Sequence, residues 1–394
     1  MDDQRKLNIA MVCDAVTDCV AGSFISTLRF SELLTEKGHK IIFITGKSPQ
    51  NPTDGYHKDT IKVYRFPGIL LPKSEGQLYI SFPPKKRVRE IFQDEEIDVV
   101  HIIIPTPSAV TSLRAAKSLG IKTVAHSHTQ PENLTMHLPG ETIQKPLNYI
   151  FYKYLSWLYR KADALIYPTE FARRLLHKLE EHKETHVISN GVNTKKFKET
   201  ETETLFGKFN LPRHTKNVLY VGRLHPEKSV NTLISAIPHI ISRAPAAHII
   251  IAGFGHLDTK LEQLVRELGI ENHITFLGKV TDEELIMAYS ACDIFVLPSF
   301  AELEGMAVLE AMACGKPIII ADSKESASTY FVDGNGFLFE PSNHEHLAEQ
   351  VVALLVDDTL RESMGKASLE QSKLYDIDHS VARLEEIYYA LLQK

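Results

Sequence analysis

The chain has 394 residues, 43% of them hydrophobic and 24% charged, the balance of an ordinary globular protein long enough for two or three domains. It contains no run of about 18 apolar residues, which argues against a membrane-spanning helix, and its opening MDDQRKLNIAMVCD has no cleavable leader pattern. The net charge of −6 is unevenly spread. Residues 1–200 hold 28 Lys and Arg against 22 Asp and Glu, a balance of +6; the rest holds 44 − 28 = 16 against 50 − 22 = 28, a balance of −12. A basic front half suits an anionic surface or substrate, although solvated faces give the same imbalance. The four cysteines, Cys13, Cys19, Cys292 and Cys314, form no Cys-x-x-Cys pair, and no histidines stand at zinc spacing. They read as reduced residues of a cytoplasmic protein, with no metal ligand set and no nucleic-acid partner expected.

In chain order, LNIAMVCD (residues 7–14) reads as a buried strand. The loop AVTDCVAGS follows, then an amphipathic helix from Phe24 to Lys37, a stop at Gly38 and the strand HKIIFIT. Strand, loop, helix and strand make a Rossmann half. Residues 46–80, with Pro49, Pro52, Pro67 and Pro72, read as irregular. Lys85, Lys86, Arg87 and Arg89 open a short basic helix. IDVVHIII is a strand, and KTVAHSHTQPEN is another that ends in polar residues, as strands lining the crevice of an open α/β sheet do. Residues 145–161 (KPLNYIFYKYLSWLYRK) form an aromatic-rich helix. Strand ADALIYPT and a helix from Glu170 follow, then THVISNGVNTKKF. KETETETLFGKFNLPRHTK is polar and repetitive and reads as a weakly structured linker.

A second strand–turn–helix run starts at NVLYVGRLHPEKSV. Its strand spans Asn217–Val221, Gly222 breaks it, and a helix starts near Lys228. AHIIIAGFG ends in Gly253 and Gly255, which permit close backbone approach. ITFLGKV, DIFVLPS and KPIIIAD extend a parallel sheet, with helices at 258–268 and 282–291 between strands. In PSFAELEGMAVLEAMACGKPIII a strand leads to a helix that starts near Gly305 and ends at Gly315. Glu302 and Glu310 stand on either side of that helix start. The N–H groups of Gly305, Met306 and Ala307 are uncapped by sequence, and the helix dipole favours an anion there. A phosphate on those groups, with a carboxylate on each side for sugar hydroxyls, describes a nucleotide-sugar site. Helices at 343–356, 358–373 and 379–392 finish the chain. Asp376 and Asp378 spell Asp-x-Asp, but between terminal helices and not after a buried strand, so they are not read as a metal site.

The Glu-x7-Glu pattern with EAMACGKP behind it resembles the retaining glycosyltransferases of family 4 (glycosyl transferases group 1). Their GT-B fold has two Rossmann-like, doubly wound parallel-sheet domains facing a central cleft. That resemblance implies an acceptor-side domain at 1–200, a nucleotide-sugar domain at 201–375, and a last helix, 376–394, that crosses back to the first. It implies transfer of a hexose from a nucleoside diphosphate sugar, a UDP-sugar by expectation, with no cofactor. Arg223 and Lys228 would hold the diphosphate with Gly222, Gly253, Gly255 and the helix start at Gly305, Met306 and Ala307. Glu310 would take the ribose, and Glu302 the donor sugar. Gly22 would lie near the donor phosphate, although Ala21 stands where the family carries a second glycine. On the acceptor side it implies His128, with His126 one strand period back, and Asp18, which otherwise reads as a turn former. ELEGMAVLEAMACGKP and HTQPEN resemble bacterial members that glycosylate lipids such as diacylglycerol. The acceptor would then be a lipid or glycan, and the basic helix would meet the inner face of an anionic membrane. Two other readings stay open. A sugar-nucleotide epimerase or phosphorylase would share the sheets but not Glu-x7-Glu with its Arg and Lys partners. A sugar-nucleotide-binding protein without turnover is separated by an assay for donor hydrolysis or transfer.

Overall fold

The structure, a computed structural model, describes residues 5–14, 22–49, 53–71, 78–135, 140–177 and 184–394. The chain forms two compact units. One comprises Met1–Asn190 with Asp378–Lys394, the other Gly191–Ile377.

The first unit is built on an eight-stranded sheet. Its order is Thr185–Val187, Ala164–Tyr167, Lys122–His126, Val99–Ile102, Asn8–Val12, Lys40–Gly46, Ile61–Phe66 and Gly55–His57. All neighbours are parallel except the last pair. The central strands are apolar on both faces, as strands covered by helices on both sides must be. Strand order reverses between Asn8–Val12 and Val99–Ile102. The helix Ile377–Leu392 belongs to this unit for nearly all its length. Its Glu385 pairs with Lys37 at 2.7 Å and with His39 at 2.9 Å, and its Tyr388 is buried.

The second unit holds a six-stranded sheet, wholly parallel. The order is Ile274–Gly278, Ala247–Ala252, Lys216–Val221, Ile294–Leu297, Ile318–Ala321 and Gly336–Phe339. Its chain direction across the sheet reverses between Lys216–Val221 and Ile294–Leu297. In open α/β sheets ligands bind beyond the carboxyl ends of the two strands at such a reversal. Here those ends lead into residues 222–229 and 298–305.

Two expectations need correction. Residues 46–80 are not irregular: Ile61–Phe66 is a sheet strand, and Gly55–His57, Gly68–Leu70 and Tyr79–Ser81 are short strands. Ile61 and Val63 are buried there, so IKVYRF has the alternation of a strand that the flanking prolines mask. The supposed linker contains the helix Glu203–Phe209, whose Leu205 is buried in the core of the second unit. Phe197 is buried in the same core, and the N–H of Val192 bonds to Tyr375 O at 2.8 Å. The unit boundary therefore falls after Asn190, ahead of the expected 200. The helix expected near Lys228 is there: Lys228 ends a single 3-10 turn, Pro226–Lys228, and the α-helix spans Val230–Arg243.

Candidate active site

The turn after Lys216–Val221 is held from beneath. The Tyr220 hydroxyl donates to Arg223 O at 2.9 Å. From the side, Leu224 N–H bonds to Phe254 O at 3.0 Å. Gly253, at φ 142°, is required here, because a Cβ on it would lie 1.9 Å from Gly222 O; one on Gly255 would lie 2.4 Å from Leu224 O. The close approach that these glycines permit is thus to the backbone of the Arg223 turn.

Each cation of the turn has a carboxylate. Lys228 Nζ donates to Glu302 Oε1 at 2.6 Å, both side chains being mostly buried. Arg223 Nη2 donates to Glu227 Oε1 at 3.2 Å. Glu227 is buried, its backbone O accepts the Phe300 N–H at 2.7 Å, and its Oε2 has no hydrogen-bond partner among the described residues. The sequence reading passed over Glu227, because HPEK reads as a surface turn. Only the contact with Phe300, remote in the chain, shows that it is inside.

Glu302 lies on the two-residue strand Ala301–Glu302, paired in parallel with Glu325–Ser326. The helix Met306–Ala313 begins after Gly305, which is left-handed at φ 103° and has no side-chain cap. A Cβ on Gly305 would meet Ser328 Oγ at 2.3 Å, and that hydroxyl donates to Glu304 O at 2.9 Å. Val308, Leu309, Ala311 and Met312 bury the helix in the core. Glu310 is buried too, and its Oε2 accepts the Tyr289 hydroxyl at 2.8 Å. The structure therefore brings Arg223, Lys228, Glu302 and the Gly305 helix start onto the two loops of the strand reversal. Cations, carboxylates and unpaired backbone N–H groups can there hold a ligand that carries both phosphate and hydroxyls.

In the first unit, Gly22 opens the helix Gly22–Glu36. Asp18, Ala21 and Cys19 lie outside the described residues. Asp14, after the first strand, is buried and accepts from Ser81 Oγ at 2.5 Å and Ser108 Oγ at 2.9 Å. Burial raises its pKa in spite of those bonds.

His101, His126 and His128 form a column. Ring centroids are 5.6 Å apart for the first pair and 4.1 Å for the second, and Phe30 stacks on His126 at 6.3 Å. His101 Nδ1 meets the Tyr388 hydroxyl at 2.6 Å. His128 is half-buried, His101 and His126 fully buried, and neither nitrogen of His126 has a hydrogen-bond partner among the described residues. Burial lowers His101 and His128 to about 3 and His126 well below 6.5. All three are neutral when folded and gain protons near pH 6.5 when unfolded. Their contribution to stability is complete above about 6.5 and is lost as pH falls toward about 3. Thermal melts should therefore drop steeply below pH 6, by about 1.4 kcal/mol per pH unit for each fully buried ring. His126→Phe should flatten that slope; an unchanged slope would show that other groups carry it.

Asp376 accepts a hydrogen bond from the Thr194 hydroxyl and its backbone bridges to Val192, a structural position. Cys13, Cys292 and Cys314 are buried, and burial pushes the Cys292 and Cys314 thiols up to about 12.

Comparisons with known proteins agree with this architecture. Residues 20–196 match the family described as Glycosyltransferase Family 4, and residues 201–371 match Glycosyl transferases group 1. The N-acetyl-alpha-D-glucosaminyl L-malate synthase of Bacillus anthracis is 24% identical over 98% of both chains. The alpha-monoglucosyldiacylglycerol synthase of Acholeplasma laidlawii is likewise 24% identical over 98% of both. Among solved structures, Anabaena HepE in complex with UDP and glucose superposes with a TM-score of 0.79 at 19% identity, covering 98% of this chain and all of that one. With one family match in each parallel-sheet unit, the chain is a glycosyltransferase of the GT-B fold and belongs to family 4, the glycosyl transferases group 1.

Proposed function

We propose that this glycosyltransferase moves a hexose from a UDP-sugar to a hydroxyl of a membrane lipid, with retention at the anomeric carbon. The observation that carries the donor half is the set of paired cations, Arg223 and Lys228, beside the uncapped helix start at Gly305. Carboxylates already hold both side chains in place, so they meet a diphosphate without reorganisation, and such fixed charge is usually the largest catalytic contribution. In this reading the sugar–phosphate C–O bond breaks and an acceptor C–O bond forms on the same face. The acceptor proton passes to an oxygen of the leaving phosphate, so no protein base is assigned. Arg223, Lys228 and the N–H groups of Gly305, Met306 and Ala307 take up the charge that grows on the leaving group. Glu302 holds donor-sugar hydroxyls, Glu310 the ribose. Gly222, Gly253 and Gly255 shape the turn, Gly22 lies near the donor phosphate, and Asp18, His126 and His128 serve the acceptor side.

Two surface features support a lipid acceptor. The helix Lys85–Asp94 buries Val88, Ile91 and Phe92 and exposes Lys85, Lys86, Arg87 and Arg89. The helix Glu141–Tyr159 exposes Tyr149, Ile150, Phe151 and Trp157, while Leu155, Leu158 and Tyr159 are buried. Exposed basic residues and exposed aromatic ones each suit an anionic membrane surface, at about 1 kcal/mol per basic residue. Among the described residues no helix is long and apolar enough to cross a membrane. The contact proposed is peripheral, at the cytoplasmic face. One relative is named for a diacylglycerol product, another for malate. The test uses phosphatidylglycerol vesicles containing diacylglycerol, with radiolabelled UDP- and GDP-hexoses. Protein floating with anionic vesicles at low salt, and UDP-sugar label in the lipid phase, are expected. Protein left at the bottom with both anionic and neutral vesicles, and label in a water-soluble product, would replace the lipid by a soluble acceptor.

A further inference from the structure

We propose that His239, His344 and Glu345 bind a divalent first-row transition ion, preferentially zinc, on the surface of the second unit. The two imidazoles and the carboxylate each offer a ligand atom, and these atoms lie within 4.8 Å of one another. The His239 and His344 ring centroids are 5.4 Å apart. Tetrahedral zinc places its ligand atoms about 3.3 Å apart, given Zn–N bonds of about 2.05 Å. His239 and Glu345 are exposed, so small rotations of their side chains close the remaining gap.

The backbones beneath the set are firm. His239 projects from the helix Val230–Arg243, whose inward residues Leu233 and Ile237 are buried in the core. His344 and Glu345 are the first residues of the helix His344–Val356, which buries Val351 in the same core. Asn343 fixes that helix start by accepting the His346 N–H at 3.0 Å. The sequence conceals the set, because its two histidines lie on helices far apart in the chain.

The donor set decides the ion. Imidazole nitrogen with one carboxylate suits zinc, nickel or copper, whereas magnesium and calcium require shells of oxygen. Three protein ligands leave one position, which water can fill. His239 lies nine residues beyond Val230 along its helix, about 14 Å at the helical rise. The ion therefore clamps two helices together and takes no part at the Arg223 turn. A metal that binds only the folded form raises its stability.

The test is thermal unfolding of the full chain after treatment with EDTA and its removal, with zinc, nickel or magnesium then added at micromolar concentration, paired with zinc calorimetry. Zinc and nickel should raise the melting temperature by several degrees, magnesium should not, and one zinc should bind per chain. His239→Ala and His344→Ala should keep the metal-free melting temperature of the wild type and lose the rise. The chain has 18 histidines, so the variants locate the ion. Absence of zinc binding to the wild type, or an equal rise in both variants, would overturn the proposal.

Discussion

Glu302→Gln should lower turnover by about two to three powers of ten while leaving the fold and UDP affinity intact. The amide is isosteric and can still accept the 2.6 Å bond from Lys228. Core packing is unaffected, because Glu302 sits on a short edge strand and not in the hydrophobic cluster. What disappears is the negative charge proposed to steady positive charge at the anomeric carbon, and losing one such electrostatic partner costs about that factor. Lys228, freed of its neutralising partner, should hold the diphosphate at least as well as before. The signature is therefore a fall in kcat without a rise in the dissociation constant for UDP. Near-native transfer at saturating donor would remove Glu302 from the reaction.

Arg223→Ala and Lys228→Ala should act in the opposite sense, on binding. Removing one partner of a desolvated charge contact typically costs about 2–5 kcal/mol, so UDP should bind about thirty-fold to several thousand-fold more weakly. The two variants should differ in stability. Glu302 retains some solvent when Lys228 is lost, but Arg223→Ala leaves the 1%-exposed Glu227 carboxylate with only His225, at 3.8 Å, beside it. An uncompensated buried charge is strongly destabilising, so the melting temperature should fall more for Arg223→Ala than for Lys228→Ala. Adding Glu227→Gln to Arg223→Ala should restore stability without restoring UDP binding. Unchanged affinity in both single variants, measured by calorimetry, would place the diphosphate elsewhere.

Much of this arrangement was legible before any coordinates. NIAMV, KIIFITG, NVLYV and IFVL are apolar without alternation, the mark of strands buried on both faces, and the glycines and prolines after them mark the turns. The resemblance singled out Arg223 and Lys228, and the Glu-x7-Glu pattern at the helix start singled out Glu302 and Gly305. That Lys228 meets Glu302 was not legible from pattern alone, since it depends on the reversal of strand order between Lys216–Val221 and Ile294–Leu297. Glu227 escaped because its burial comes from Phe300, in the other loop of the pair. Gly253 and Gly255 were read as making room for a ligand, yet the nearest atoms to their absent side chains are backbone atoms of the neighbouring turn. Leu205 shows the same limit: polar neighbours hid one apolar contact that turns a nominal linker into a helix.

The most direct test of the account is proton NMR of the reaction itself in the presence of EDTA, with a UDP-α-hexose as donor. Magnesium or manganese would normally neutralise a leaving diphosphate, and here Arg223 and Lys228 are assigned that task. The account predicts UDP release at the rate seen without chelator, and a product whose new anomeric proton shows the α configuration of the donor. A β-configured product, or complete loss of transfer in EDTA with recovery on adding magnesium or manganese, would contradict it.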